Sequence, residues 1–299
     1  MNGETQYLQL LENILKNGQR KSNRTGVDTL VIPPTMIQHD MSRGFPLLTT
    51  KDVAFKPIRT ELEFFIKGLT DKRWLQERGN HIWDEWANPK VVDKIMKTVH
   101  MDLPLDEMDK REEYMAEIRK ETQREEHDLG QVYGAQWRNF NGQGYDQLKT
   151  IVNSLHTNPN DRRMLCSAWN PLVLDEVALP PCHYSWQVSH INGTLHLTWN
   201  QRSVDSFLGL PFNLASYALL LHLLCLEGGF KEGTVTGFLS DVHIYENHIE
   251  QVKEQISRIP YQLPTIETTG FTNIFDWDHT MTKSIGYQRH PKIVGEVAV

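Results

Sequence analysis

Cysteine is scarce in this chain. Of 299 residues only three are cysteine, Cys166, Cys182 and Cys225, and no two stand at CxxC spacing, which argues against a zinc site. An odd count without a secretory apolar segment points to a reducing, cytoplasmic setting. No apolar run reads as long and clean enough to span a bilayer: residues 219–226 are interrupted by His222 and bounded by Glu227. Positive charge is also short, with 31 Lys and Arg against 38 Asp and Glu, a net charge of −7. That balance argues against a nucleic-acid binder while leaving room for a local anion site. Repeats, low-complexity segments and linkers are missing too, so one domain is expected. Hydrophobic residues make up 39%, enough for a substantial core.

What is present concentrates around Cys182. The thiol stands behind Pro180 and Pro181, at the head of an alternating run (Tyr184, Trp186, Val188, then Leu195, Leu197, Trp199) that reads as a β-hairpin. The prolines fix φ and withhold amide donors, so Cys182 is expected where a loop becomes a strand. The returning strand delivers Arg202 and Ser203. A loop with Gly209 and Pro211 follows, then Asn213 and a helix apolar on nearly every face, which should be buried. A lone buried cysteine is usually inert. Here a cation, a carboxylate and an amide accompany it.

Elsewhere the periodicity is ordinary. Residues 4–17 read as an amphipathic helix ending near Gly18, and Thr29 to Ile32 and Thr35 to Gln38 as short strands. A helix is expected from Pro57 to Lys67, stopped by Gly68; it carries Glu61 and Glu63, and most helix carboxylates face water. Residues 105–128 are densely charged, with a thin stripe of Met108, Met115 and Ile118, and read as a solvent-exposed helix. Residues 145–156 read as a helix, Met164 to Trp169 and Val235 to Leu239 as strands, and Ile249, Val252 and Ile256 as one face of a further helix.

Four long motifs run in order: Pro180-Pro181-Cys182-His183, Gln201-Arg202-Ser203-x-Asp205, Gly209-Leu210-Pro211-Phe212-Asn213-x-Ala215-Ser216-Tyr217-Ala218, and Asp241-x-His243-Ile244-Tyr245-x-Asn247-His248. They resemble the motifs of thymidylate synthases, and the likeness extends from Asn23-Arg24-Thr25-Gly26 to Val297-Ala298-Val299. It implies an α/β (α+β) fold: a single domain with a large mixed β-sheet packed against helices, one long buried central helix, and dimerisation through the sheet. Residues 90–128 are the least family-like and read as a charged helical insertion.

The implied reaction is reductive methylation of dUMP to dTMP, with 5,10-methylenetetrahydrofolate as one-carbon and hydride donor and no metal. A thiolate adding at carbon 6 of uracil makes carbon 5 nucleophilic, and Cys182 is the candidate. Arg202 should lower its pKa. The resemblance places Glu61, Arg202, Asn213, Asp205, Tyr133 and His183 with Cys182 in catalysis. It gives dUMP the residues Arg24, Arg162, Arg163, Gln201, Arg202, Ser203, Asp205, Asn213, His243 and Tyr245, with Arg162 and Arg163 reaching across a homodimer interface. It gives the folate Lys51, Trp83, Trp86, Asp205, Gly209, Phe212, Val297 and Ala298.

Plainer readings stand beside several of these. Arg24 fits a solvated turn, Lys51 an exposed lysine, and the two tryptophans a core. Arg162 and Arg163 fit a wet surface, and Asn213 an N-cap for a helix beginning at Leu214. Ser240, the Tyr184-Ser185-Trp186 run and Glu63 depart from the family pattern. Two rivals share the residues: a hydroxymethylase, ending with water in place of hydride, and a degenerate copy that only binds RNA. The amide of Asn213 argues for uracil over cytosine.

Overall fold

The computed structural model describes residues 2–100 and 108–297, without the side chains at 99–100 and 108–113. In chain order the first elements are α1 (Gly3–Asn17), β1 (Gln19–Lys21), β2 (Thr29–Ile32), β3 (Thr35–Asp40) and α2 (Phe55–Ile66). Then come α3 (Arg73–Gln76), α4 (Pro89–His100), α5 (Met108–Glu125), α6 (Gly134–Arg138), α7 (Gln147–Thr157) and β4 (Leu165–Ser167). The last are β5 (His183–Ile191), β6 (Thr194–Gln201), β7 (Val204–Asp205), α8 (Gly209–Gly228), β8 (Lys231–Leu239), β9 (Val242–Tyr245), α9 (Ile249–Ile256), β10 (Thr265–Thr268) and β11 (Thr282–Ile285). Two compact units result, the first of residues 1–63, 148–166 and 182–299 and the second of 64–147 and 167–181.

The first unit carries the sheets. A mixed five-stranded sheet runs β3-β8-β6-β5-β4, with β6 and β8 parallel and β5–β6 the expected hairpin. A second sheet, β1-β2-β9-β7, and the β10–β11 hairpin complete it. One face of the large sheet buries Trp186, Val188, Leu197, Trp199 and Val235. Packing there is close: a Cβ at Gly237 would come within 2.3 Å of the Trp199 ring on the neighbouring strand. Trp199 stacks at 5.2 Å and 11° on Tyr217 of α8.

α8 is the buried central helix. It is 20 residues long and begins at Gly209, not after Asn213. Pro211 is harmless in its first turn, where no intrahelical partner awaits its amide. Counted from Gly209, α8 is long and apolar enough to cross a membrane, so the shorter run counted in the sequence understates it. Yet 72% of its most apolar window is buried inside the protein, as befits a core helix. It ends on Gly229, whose φ of +71° needs a residue without a side chain.

The second unit is helical. Ala87, Val92 and Met96 form a small apolar cluster, and Met115 and Ile118 of α5 pack against it. The helical insertion expected over 90–128 thus holds two helices with a shared seam, α4 preceding the one helix delimited in the sequence; Met108 of the expected stripe lies outside the described side chains. Tyr133, with a left-handed φ of +30°, stacks on Phe65 at 4.9 Å, and Trp83 lies edge-on to Tyr133 at 5.9 Å and to Trp86 at 6.0 Å.

Candidate active site

The hairpin sets the thiol beside its cation. The amide of Arg202 donates to the Cys182 carbonyl at 2.8 Å, and His183 pairs with Gln201 in the ladder. A register shift between His183 and Ser185 marks a bulge one step further on, a common device for aiming a side chain at a site. Burial pushes the Cys182 thiol up from its ordinary pKa; Arg202 first and Arg24 second pull it back down. The expected cationic depression is therefore present but outweighed, because the mostly buried sulfur loses more hydration than the two guanidiniums return. Asp205 acts on the same thiol, and it acts with Arg24 and Cys182 on the Tyr245 hydroxyl. The charges of Arg24, Arg202 and Asp205 thus all act on the Cys182 thiol, Arg24 from an exposed turn.

A hydrogen-bonded chain flanks this point. Trp199 Nε1 donates to Gln201 Oε1 at 3.1 Å, and Gln201 Nε2 donates to Asn213 Oδ1 at 3.0 Å and to the Ser203 carbonyl at 3.1 Å. Asn213 sits in the second turn of α8, so it is no N-cap. The amides before the helix are served by Asp205, whose Oδ1 accepts from Phe207 at 2.9 Å and Leu208 at 3.0 Å. A Cβ at Gly209 would touch both Asp205 and Asn213. His183 Nδ1 lies 2.8 Å from the Tyr217 hydroxyl, and burial lowers its pKa to about 3, so the ring is neutral. Glu61 is half-buried on α2, and its charge reaches Tyr217.

His243 and Tyr245 come from β9, which pairs with β7 so that His243 faces Asp205. His243 Nδ1 donates to the Asp241 carbonyl at 2.8 Å and carboxylate at 3.1 Å, which fixes its tautomer with Nε2 as the acceptor. Lys51 is not exposed: its ammonium donates to the Phe207 carbonyl and stands 3.8 Å over the Phe207 ring. Burial lowers its pKa to about 7, against the pull of Asp205. The C-terminal segment passes close to the same ring at Gly295, and beside it His248 Nε2 donates to the Glu296 carbonyl at 2.8 Å. Val297 is exposed; Ala298 and Val299 lie outside the described residues.

Three expectations are not gathered here. Arg162 and Arg163 are exposed, and Arg163 forks onto Asp161 at 2.9 and 3.1 Å. Trp83, Trp86 and Tyr133 belong to the second unit. Glu63 does not face water: it is fully buried, accepting from the His279 amide at 3.0 Å and Nδ1 at 2.6 Å. The sequence also missed Tyr217 as the partner of His183, Phe207 as the seat of Lys51, and Asp241, whose two-residue spacing from His243 was the available signal.

Residues 5–299 match the family model described as thymidylate synthase. The chain belongs to the thymidylate synthase family. It is 41% identical over 296 residues to "Thymidylate synthase" of Mycoplasma genitalium, covering 98% of this chain and 99% of that protein. It is 40% identical over 320 residues to the Staphylococcus haemolyticus "Thymidylate synthase", covering 99% and 98%. A "Bifunctional dihydrofolate reductase-thymidylate synthase" of Paramecium tetraurelia is 39% identical over 307 residues, covering 99% of this chain and 61% of its own. Thymidylate synthases are methyltransferases that convert dUMP to dTMP with 5,10-methylenetetrahydrofolate as co-substrate, and the family is not one of metalloenzymes.

Proposed function

We propose that Cys182 is the nucleophile of this thymidylate synthase and that the residues converging on it bind and activate dUMP. The observation that carries this is the Arg202–Cys182 backbone pairing, with the charges of Arg202 and Arg24 acting on the thiol. Addition of the thiolate sulfur to uracil carbon 6 moves the C5–C6 electron pair onto carbon 5 and O4. The Asn213 amide, oriented by Gln201, donates to O4 and accepts from N3–H. Glu61 moves the proton at carbon 5 through water, and elimination returns the thiolate. Neutral His183, with its Tyr217 partner, and Tyr133 support this chemistry without carrying charge into it.

Arg24, Arg202 and Ser203 hold the phosphate, and His243 and Tyr245 the sugar hydroxyl, in charge-assisted and neutral hydrogen bonds respectively. The folate supplies one carbon and a hydride. Asp205 has one carboxylate oxygen on backbone amides and offers the other to pterin donors. Gly209, Phe212, Lys51 and the tail at Val297 and Ala298 are assigned to the same ligand, as are the aromatic faces of Trp83 and Trp86. A homodimer is proposed in which Arg162 and Arg163 reach the partner's phosphate; Met36 and Phe238, paired on the outer face of the large sheet and 49% and 48% exposed, support an interface there. The family match spans both units, which supports one catalytic domain, within which residues 90–128 are proposed as an insertion, and three free cysteines support a cytoplasmic setting. Chromatography of the product from dUMP and the folate tests the reading: dTMP is expected, and 5-hydroxymethyl-dUMP would overturn it.

A further inference from the structure

We propose that Lys72 is a positioning residue for the segment bearing Trp83 and Trp86, tying it to the C-terminal end of α5. The proposal rests on the folate role assigned above to those tryptophans. Lys72 is 0% exposed. Its ammonium donates to three backbone carbonyls, those of Asp84 at 3.1 Å, Trp86 at 2.7 Å and Gln123 at 2.8 Å. An ammonium has three N–H donors and no acceptor, so the set is complete.

Each acceptor is a carbonyl that would otherwise lack strong partners. Gln123 lies in the last turn of α5, where carbonyls have no intrahelical donor and a cation meets the negative end of the helix dipole. Asp84 and Trp86 belong to a tight turn whose own bonds are long, Asp84 to His81 and Trp86 to Trp83, each at 3.2 Å. The turn is braced further by the Asp84 carboxylate, which accepts from Gln76 at 2.9 Å and His81 at 2.8 Å, and by the Ile82 amide, which donates to Asn80 Oδ1 at 3.3 Å. The chain leaving α5 adds two rungs, Lys72 amide to His127 carbonyl at 2.9 Å and Asn88 amide to Asp128 carbonyl at 2.8 Å.

A buried ammonium is costly to desolvate, and burial lowers the Lys72 pKa against the pull of Asp84, Glu126 and Glu85. Methionine would fill the same space without that cost, so packing alone does not call for lysine. What lysine adds is a single point joining the tryptophan turn to α5. α5 is in turn seated on α4 through Met115 and Ile118. The charged α4–α5 pair thereby becomes the outer brace of the proposed folate-binding turn.

Steady-state kinetics on Lys72→Met, with Trp83→Ala as a control, test this. The three carbonyls lose their donor in Lys72→Met and the turn loosens. The Michaelis constant for 5,10-methylenetetrahydrofolate should rise about tenfold, with that for dUMP within twofold of the parent. Lys72→Gln, with two donors, should fall between, and it serves alone if Lys72→Met does not fold. An unchanged folate constant in a folded Lys72 variant, or an equal rise for both substrates, overturns the proposal while leaving the folate reading standing. An unchanged folate constant in Trp83→Ala overturns the folate reading itself, and the proposal with it.

Discussion

Gln201 Nε2 donates to Asn213 Oδ1 across 3.0 Å, joining the end of β6 to the second turn of α8. Because Oδ1 is turned toward a donor, the orientation of the Asn213 amide is set before any nucleotide arrives. Uracil can pair with that amide through N3–H and O4, whereas cytosine offers a bare N3 and an amino group. Each mismatch costs about 1–3 kcal/mol when desolvated. Asn213→Asp, whose carboxyl can donate to cytosine N3 when protonated, should lose at least about tenfold in kcat/KM on dUMP and gain activity on dCMP. Parallel kinetics on both nucleotides check this, and an unaltered preference would remove Asn213 from base selection.

The Cys182 thiol is held up by burial and pulled down by Arg202 more than by any other group. Removing the guanidinium removes the larger stabilising charge on the thiolate, so Arg202→Gln should shift the Cys182 ionisation to higher pH. The rate of iodoacetamide labelling against pH, read on the Cys182 peptide by mass spectrometry, measures it. An ionisation unmoved or lowered in the variant would contradict the electrostatic role.

Lys51 ionises near pH 7 in the folded protein against 10.5 ordinarily. Its folded pKa is depressed, so between these values the unfolded chain holds the proton that the native protein does not. Stability should therefore rise with pH through this window. Between pH 7 and 9 the lysine contributes about 2 kcal/mol of that rise, and Lys51→Met should lack it. Urea midpoints of both proteins across the range decide the matter; parallel curves would mean that Lys51 keeps its ordinary pKa.

Arg162 and Arg163 stand exposed on the short segment before β4. If they complete the partner's site, mixing inactive Cys182→Ala with inactive Arg163→Glu should restore up to about a quarter of the parent activity, from the one whole site in each heterodimer. Heterodimers that form yet stay inactive would rule out the sharing.

Local signals made much of this legible. The apolar spacing of α1, the strand at Thr29–Ile32 and the β5–β6 hairpin follow from residues adjacent in sequence. Two helices begin earlier than their prolines suggest, α2 at Phe55 before Pro57 and α8 at Gly209 before Pro211. Proline reads as a boundary, but in a first turn its missing amide costs nothing. Buried polar residues were the harder case. Glu63 meets His279 across 216 positions and Lys51 meets Phe207 across 156, and no window of sequence shows such partners. The same holds for Lys72, whose acceptors are backbone carbonyls that any residue type would supply.

The central claim is that Cys182 forms the covalent bond to the pyrimidine. Incubation with 5-fluoro-dUMP and 5,10-methylenetetrahydrofolate, followed by digestion and mass spectrometry, tests it most directly. The account predicts a stable adduct on the peptide containing Cys182 and none in Cys182→Ala, which should also lose turnover while still binding dUMP. An adduct on Cys166 or Cys225, or retained turnover in Cys182→Ala, would contradict it.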